Sequence, residues 1–260
     1  MTVQEIKGKH TPVPSTEEDK KRRFGFVWST ENLWICLLSV FVAVSVLFCS
    51  VTRAEVYDDF TGENIDTTKW VIRSAPGSTP GLFSQSKGRL HFVCDRDVGE
   101  SLVSTTLFKA GFFRMEFHEF HSTNDAPSGR GMGSFVALGL GPRDNYVRTL
   151  RGRVSTGGYV EANYFAHNRL QLWYDPTAIT FGQLALYYDG STITFFYNAG
   201  LDPDQGWQRV GPRVTPGWNS SPNLFISGYP GARGRTTFSV DNVEYLPVPL
   251  PPSLLKRLER

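Results

Sequence analysis

The stretch Phe181–Asn198 reads FGQLALYYDGSTITFFYN, with an alternating apolar run on each side of Asp189-Gly190. Strand side chains alternate between two faces, so Leu184, Leu186 and Tyr188 share one face. Ile193, Phe195 and Tyr197 share a face of the following run in the same way. A two-residue turn between antiparallel strands needs positive φ angles, and Asp-Gly adopts them readily. The stretch therefore predicts a β-hairpin with one buried side. A lone hairpin is marginal in water, so further strands have to cover it. The chain beyond Ala54 supplies alternating runs at Val56–Phe60, Trp70–Arg73, Arg89–Cys94, Ser101–Leu107, Phe112–His121, Ser134–Leu140 and Tyr146–Arg151. More follow at Tyr159–Phe165, Leu170–Tyr174, Leu224–Ser227 and Thr237–Leu246. No helical periodicity interrupts them before the last residues. This is the pattern of an all-β antiparallel sandwich or barrel. The 19 Phe, 10 Tyr, 25 Gly and 16 Pro suit strands joined by tight turns.

The N-terminal part obeys other rules. Leu33–Val51 (LWICLLSVFVAVSVLFCSV) carries no charge and is long enough to cross a bilayer core. Lys20–Arg23 precede it, so the positive-inside rule places the N-terminus in the cytoplasm. One transmembrane helix is expected over residues 33–52, after a disordered cytoplasmic tail, 1–32. It is either an uncleaved signal anchor or a long signal peptide cut after Thr52-Arg53-Ala54. Both readings put the later residues outside the cytoplasm, in a periplasm or at the cell surface. Residues 55–247 are expected to form one β-domain and 248–260 a proline-rich, basic and loose tail. A net charge of +2 argues against a nucleic-acid binder. Cys36 and Cys49 lie in or beside the apolar run. Cys94 is then alone in the β-region, where a small buried hydrophobe is the expected role.

Four segments together carry a resemblance: VYDDFTGENIDTTKWVIRS at the start, GRLHF, the hairpin followed by GWQRVGP, and TTFSVDNVEYLP at the end. From about Glu55 to Pro247 the chain resembles the concanavalin A-like lectin/glucanase superfamily. Within it, the similarity is to the laminin-G-like jelly rolls of exported bacterial proteins. The resemblance implies a two-sheet antiparallel jelly roll with its first and last strands adjacent. It implies little about activity, because the fold hosts lectins, hydrolases and adhesion modules.

Relatives that cleave β-glucans carry Glu-x-Asp-x-Glu on one strand, which sets a nucleophile and an acid/base about 5 Å apart. The nearest match in composition is Phe113–His121, FRMEFHEFH. Strict alternation puts Glu116 with Arg114, His118 and Phe120, and Glu119 on the other face with Met115 and Phe117. The two glutamates therefore cannot flank one bond. Glu161 is a lone carboxylate whose only suggested partner is Glu116 on another strand. No zinc spacing such as His-x-His or His-Glu-x-x-His occurs. The expectation is a chain that is not an enzyme: a non-catalytic, lectin-like module binding carbohydrate at the cell envelope. The alternatives are a structural or protein-interaction module of an envelope assembly, and a glycoside hydrolase with displaced catalytic residues.

The densest sugar-binding composition lies between Tyr146 and Tyr174. If Leu170 and Leu172 face the core, Arg169, Gln171 and Trp173 point outward together and offer a sugar platform beside Asn163. The reversed register, with Trp173 in the core, fits the sequence equally. The run RTLRGR, Arg148–Arg153, reads as a solvated charged face, with attraction to an acidic glycan or lipid headgroup as the second reading. Trp207 and Trp218 are expected to plug the ends of the sandwich. Asn219-Ser220-Ser221 matches a glycosylation sequon. Asp58, Asp59, Asp241 and Asn242 are oxygen donors near the join of first and last strands, and a structural calcium ion is expected there if they converge. The plainer reading is that Asp59 and Asp241 cap turns.

Overall fold

The computed structural model describes residues 54–74, 81–124, 133–204, 206–232 and 234–259. The expected cytoplasmic tail and transmembrane helix lie outside the described residues. Among the described residues no helix is long and apolar enough to cross a membrane.

The described residues form fifteen strands and one short helix. Both sheets are antiparallel. The first runs β13 (Trp207–Arg209), β12 (Ile193–Asn198), β11 (Gly182–Tyr188), β6 (Gly111–Ser122), β15 (Thr236–Pro247), β4 (Arg89–Cys94) and β3 (Phe83–Ser86). β1 (Glu55–Asp58) also pairs with β15, so the first and last strands are adjacent as expected. The second runs β10 (Arg169–Pro176), β9 (Gly157–Ala166), β8 (Asn145–Val154), β7 (Ser134–Leu140), β14 (Asn223–Tyr229), β5 (Glu100–Leu107) and β2 (Trp70–Ser74).

The core lies between the sheets, where the alternation predicts it. Phe113, Met115 and Phe117 of β6 meet Leu184, Leu186 and Phe195 from one sheet and Val136, Leu138, Val147, Val160 and Ile226 from the other. The Asp189 hairpin forms, with Leu186 opposite Phe195 and a φ of 103° at Gly190. Asp189 closes the turn by accepting from the Ser191 and Thr192 amides. Burial pushes its carboxyl up, but hydrogen bonds from Thr192 and Ser191 outweigh this and hold it at about 2. Cys94 is buried and free, and burial raises its thiol pKa. Two strands carried no sequence signal: β3 (FSQS) and β13 (WQR) are too short and polar to alternate.

The alternation fails once, inside FRMEFHEFH. Glu119 has a φ of 54°, and the pairing with β15 shifts between Thr237 and Ser239. This bulge advances the side-chain phase by one residue. Phe120, expected on the face of Glu116, is instead buried against Phe238.

The C-terminal tail is not loose. α1 (Pro252–Leu258) buries Leu254 and Leu258 in a second apolar cluster with Phe112, Phe196, Leu246 and Leu250. These strand residues alternate with the core residues, so α1 covers the outward face of the first sheet. Arg257 also reaches the Asp204 carboxylate at 2.7 Å. Leu254→Asp is expected to detach α1 while the sandwich stays folded, because the main core does not include it. Limited trypsin digestion reads this as fast cleavage at Lys256 and Arg257 with a persistent core fragment.

Candidate functional site

The outward face of the second sheet holds the candidate site. On β8, Val147 joins the core, Thr149 donates across to the Ala185 carbonyl, and Arg151 donates to the Ile179 carbonyl. Tyr146, Arg148 and Leu150 therefore point outward. Register then builds the rest of the face. Arg148 lies opposite Gly139 and Asn163, Leu150 opposite Ala137 and Glu161, and Tyr146 opposite Phe165. β10 extends these rows with Leu172 beside Asn163 and Tyr174 beside Glu161. On the other flank Phe225 sits opposite Gly139, and Ser227 lies opposite Ala137 and Ser101.

Small residues make the floor of this trough. The Phe225 ring lies over Gly139, where an added Cβ would come within 2.1 Å of it. Tyr159 covers Gly152 in the same manner. Tyr146 stacks on Phe165 at 5.3 Å, and the Arg148 guanidinium lies 4.4 Å from the Phe135 centroid. A pocket of about 430 Å³ opens beside Arg148, lined among others by Arg73, Arg143, Tyr146 and Phe225. Aromatic faces beside directed polar groups are what a sugar ring requires.

The polar centre is Glu161, Asn163 and Arg148. Asn163 Nδ2 donates to Glu161 Oε1 at 3.0 Å. Burial raises the Glu161 carboxyl above the ordinary carboxylate range, and the Asn163 hydrogen bond and Arg148 charge offset only part of this. Burial and the Glu161 charge also push the Tyr159 hydroxyl up. Asn163 is only 1% exposed, yet its Oδ1 has no hydrogen-bond partner, and neither has the buried Nε of Arg148. A buried acceptor and a buried donor left unpaired are costly, and each marks a place where a ligand hydroxyl or a water completes the network. Among the described strand residues of this face, Glu161 is the one carboxylate.

The sequence-derived site residues divide. Asn163 belongs to this centre. Arg169, Gln171 and Trp173 do not. β10 pairs Trp173 with the buried Ala162 and Leu172 with Asn163, so Leu170, Leu172 and Tyr174 face the trough. Trp173 packs against the core and Gly211. The expected outward platform is thus replaced by the reversed register. Glu161 cannot pair with Glu116, because the two lie on strands of different sheets. The run Arg148–Arg153 is only in part a solvated face: Arg153 is exposed, but Arg148 lines the trough, and Arg151 turns inward, where burial lowers its pKa to about 10. Trp218 packs against the main core and donates to the Asn145 carbonyl, whereas Trp207 is not an end plug: it joins the second cluster on the outward face of the first sheet, against Phe112, and donates to the Pro203 carbonyl.

The expected calcium ligands do not converge. Asp58 accepts from Trp70 Nε1 at 2.6 Å and the Phe60 amide at 2.9 Å. Asp59 is engaged by the Thr61 amide and hydroxyl. Asp241 lies instead beside Glu116 and His118, and Asn242 donates to Glu116 Oε2 at 3.1 Å.

No protein-family profile and no curated protein matches the sequence. Solved structures do. LamAcat from Zobellia galactanivorans aligns with a TM-score of 0.50 at 13% identity, over 77% of this chain and 99% of that one. The laminarinase from Flavobacterium sp. UMI-01 aligns with a TM-score of 0.51 at 13% identity, over 76% of this chain and 100% of its own. A prokaryotic β-1,3-1,4-glucanase (lichenase) from a mouse hindgut metagenome gives 0.50 at 13% identity, over 75% and 99%. At this identity the likeness shows the fold alone, a two-sheet antiparallel jelly-roll sandwich. The laminin-G-like subtype is not among these structures. They also correct the expectation of a non-catalytic, lectin-like module that is not an enzyme. The named structures that share this architecture over three quarters of the chain include a laminarinase and a lichenase.

The trough floor gives a direct test of the site. Gly139→Val would drive a branched side chain into the Phe225 ring and fill the groove beside Arg148. We expect retention on insoluble polysaccharide to fall at least tenfold in a pull-down. Overpacking of this kind costs about 1–3 kcal/mol, so the variant should remain folded by circular dichroism.

Proposed function

We propose that the β-domain is a glycoside hydrolase that takes a polysaccharide across the outward face of its second sheet, with Glu161 as proton donor. One observation carries the reading: a carboxyl group whose pKa is raised by burial sits in an aromatic-lined trough beside an unpaired Asn163 Oδ1. A carboxyl whose surroundings favour its protonated form is suited to give a proton to a leaving glycosidic oxygen. Two-carboxylate glycosidases place a second acid across the bond. Here that position is not filled by a strand carboxylate. Water then attacks the anomeric carbon as the C–O bond breaks, and Asn163 Oδ1 accepts a hydrogen bond from that water. The Glu161 proton passes to the departing sugar hydroxyl, and the water's proton leaves to solvent. Phe225 and the Tyr146–Phe165 stack offer apolar platforms to sugar rings. Arg73, Arg143 and Arg148 at one end favour a polysaccharide with acidic groups. The fold likeness to a laminarinase and a lichenase supports a polysaccharide substrate and supplies no catalytic residue. The uncharged run Leu33–Val51 supports placing the activity outside the cytoplasm.

The test is incubation of the full chain with neutral β-glucans and acidic polysaccharides, measuring new reducing ends. Release from an acidic polysaccharide is expected to exceed release from a neutral one. Retention on the polysaccharides with no reducing ends from any of them would sink the hydrolase reading.

A further inference from the structure

The outward face of the opposite sheet carries a second constellation that the proposed hydrolysis does not use. Glu116 on β6 lies directly opposite Asp241 on β15, and His118 lies opposite Ser239. The pairing shifts between Thr237 and Ser239 and again between Asp241 and Glu244, so a bulge stands on each side of the four residues. Bulges re-aim side chains at such places. One ligand atom each from Glu116, His118 and Asp241 falls within 4.8 Å of the other two. His118 Nε2 stands 3.7 Å from Glu116 Oε2, beyond hydrogen-bond reach. That nitrogen is buried without a hydrogen-bond partner, and so is the Ser239 hydroxyl, on a residue only 1% exposed.

We propose that Glu116, His118 and Asp241 bind a divalent first-row transition metal ion such as zinc, with the Ser239 hydroxyl at its edge. Zinc ligands at about 2.0–2.2 Å in a tetrahedral array stand roughly 3.4 Å from one another. The three groups therefore need only small side-chain movements to close on an ion. Supporting contacts already orient them. Gln183 Nε2 donates to Glu116 Oε1 at 3.2 Å, and Asn242 Nδ2 donates to Oε2 at 3.1 Å. The Asn242 amide donates to Asp241 Oδ1 at 2.8 Å, and Arg89 Nε stands 3.8 Å from Oδ2. Outer contacts of this kind fix ligand geometry in metal sites. The imidazole nitrogen selects zinc-like ions over calcium, which takes oxygen ligands.

Isothermal titration of the full chain with Zn²⁺, and separately with Ca²⁺, tests the site. One zinc equivalent is expected, bound more tightly than calcium. His118→Ala and Asp241→Asn should each weaken zinc binding at least tenfold, and His121→Ala, a control on the same strand, should leave it unchanged. If a variant fails to fold, Co²⁺ absorption of the wild-type chain decides, since an imidazole–carboxylate site gives visible bands and an empty one does not. Zinc affinity indifferent to His118→Ala, or calcium bound in preference to zinc, would overturn the proposal.

Discussion

Glu161→Gln is expected to lower polysaccharide hydrolysis by roughly 10²–10⁴-fold, the usual worth of a positioned general acid, while retention on the polysaccharide stays near wild type. The amide keeps the size and the hydrogen-bonding oxygen of the carboxyl but has no proton to give. The pH profile adds a sign. The Glu161 pKa is raised in the folded state. The protonated donor is therefore present below that raised pKa, and activity is lost as pH rises through it. The residual activity of Glu161→Gln should lack that alkaline limb. The Glu161 contribution to stability falls over the same pH range. A carboxyl with a raised folded pKa makes its full contribution below its unfolded pKa and loses it as pH rises through the folded one. Above its raised pKa the ionised Glu161 is a burden that the glutamine removes. The variant should melt at or above the wild-type temperature, which separates lost chemistry from lost structure. Unchanged hydrolysis in Glu161→Gln would remove Glu161 from the reaction.

Asp58→Ala is expected to be the most damaging single change in the opening segment. The Asp58 side chain is nearly buried and accepts from the Trp70 indole and the Phe60 amide, with Lys69 Nζ 3.9 Å away. Phe60 has a φ of 50°, an uncommon backbone state for a bulky residue, and its side chain is fully buried. Removing the carboxylate leaves a buried indole N–H and a buried amide unpaired. Losses of this kind cost about 3 kcal/mol in total, which for a domain of this size is a fall in melting temperature of roughly 6–12 °C. Asp58→Asn retains an acceptor and should lose much less. A chelator should change the melting temperature of Asp58→Ala by the same amount as that of the wild type, because Asp58 serves the indole and not a cation. A chelator-sensitive loss in the wild type that Asp58→Ala abolishes would return this residue to a metal site.

The sequence made the strands legible wherever burial on one side forces alternation. The Asp189-Gly190 hairpin and the inward Phe113, Met115 and Phe117 follow from period two alone. β3 and β13 escaped because edge strands paired through their backbones need no apolar pattern. Trp173 was undecidable, because β10 is an edge strand and an alternating LQLWY run fits either register. Glu161, Asn163 and Phe165 were visible as three residues on one face, but nothing local shows that this face becomes a trough. Its floor comes from Gly139 and Gly152 on two other strands, and its polar centre is completed by Arg148 on the neighbouring strand. The bulge at Glu119 was equally invisible, since a left-handed glutamate has no local sequence mark.

The class of fold, a two-sided antiparallel β-domain, can be read from the order of residues alone. Side-chain alternation and turn chemistry act over a few residues, and those are written in order along the chain. Only the tertiary structure decided which polar residues meet. Asp58 with Trp70, Glu161 with Asn163 and Arg148, and Glu116 with His118 and Asp241 are joined by register and bulges. A shift of one residue in pairing sends a side chain to the opposite face, so these meetings depend on how the strands pair as well as on their own patterns.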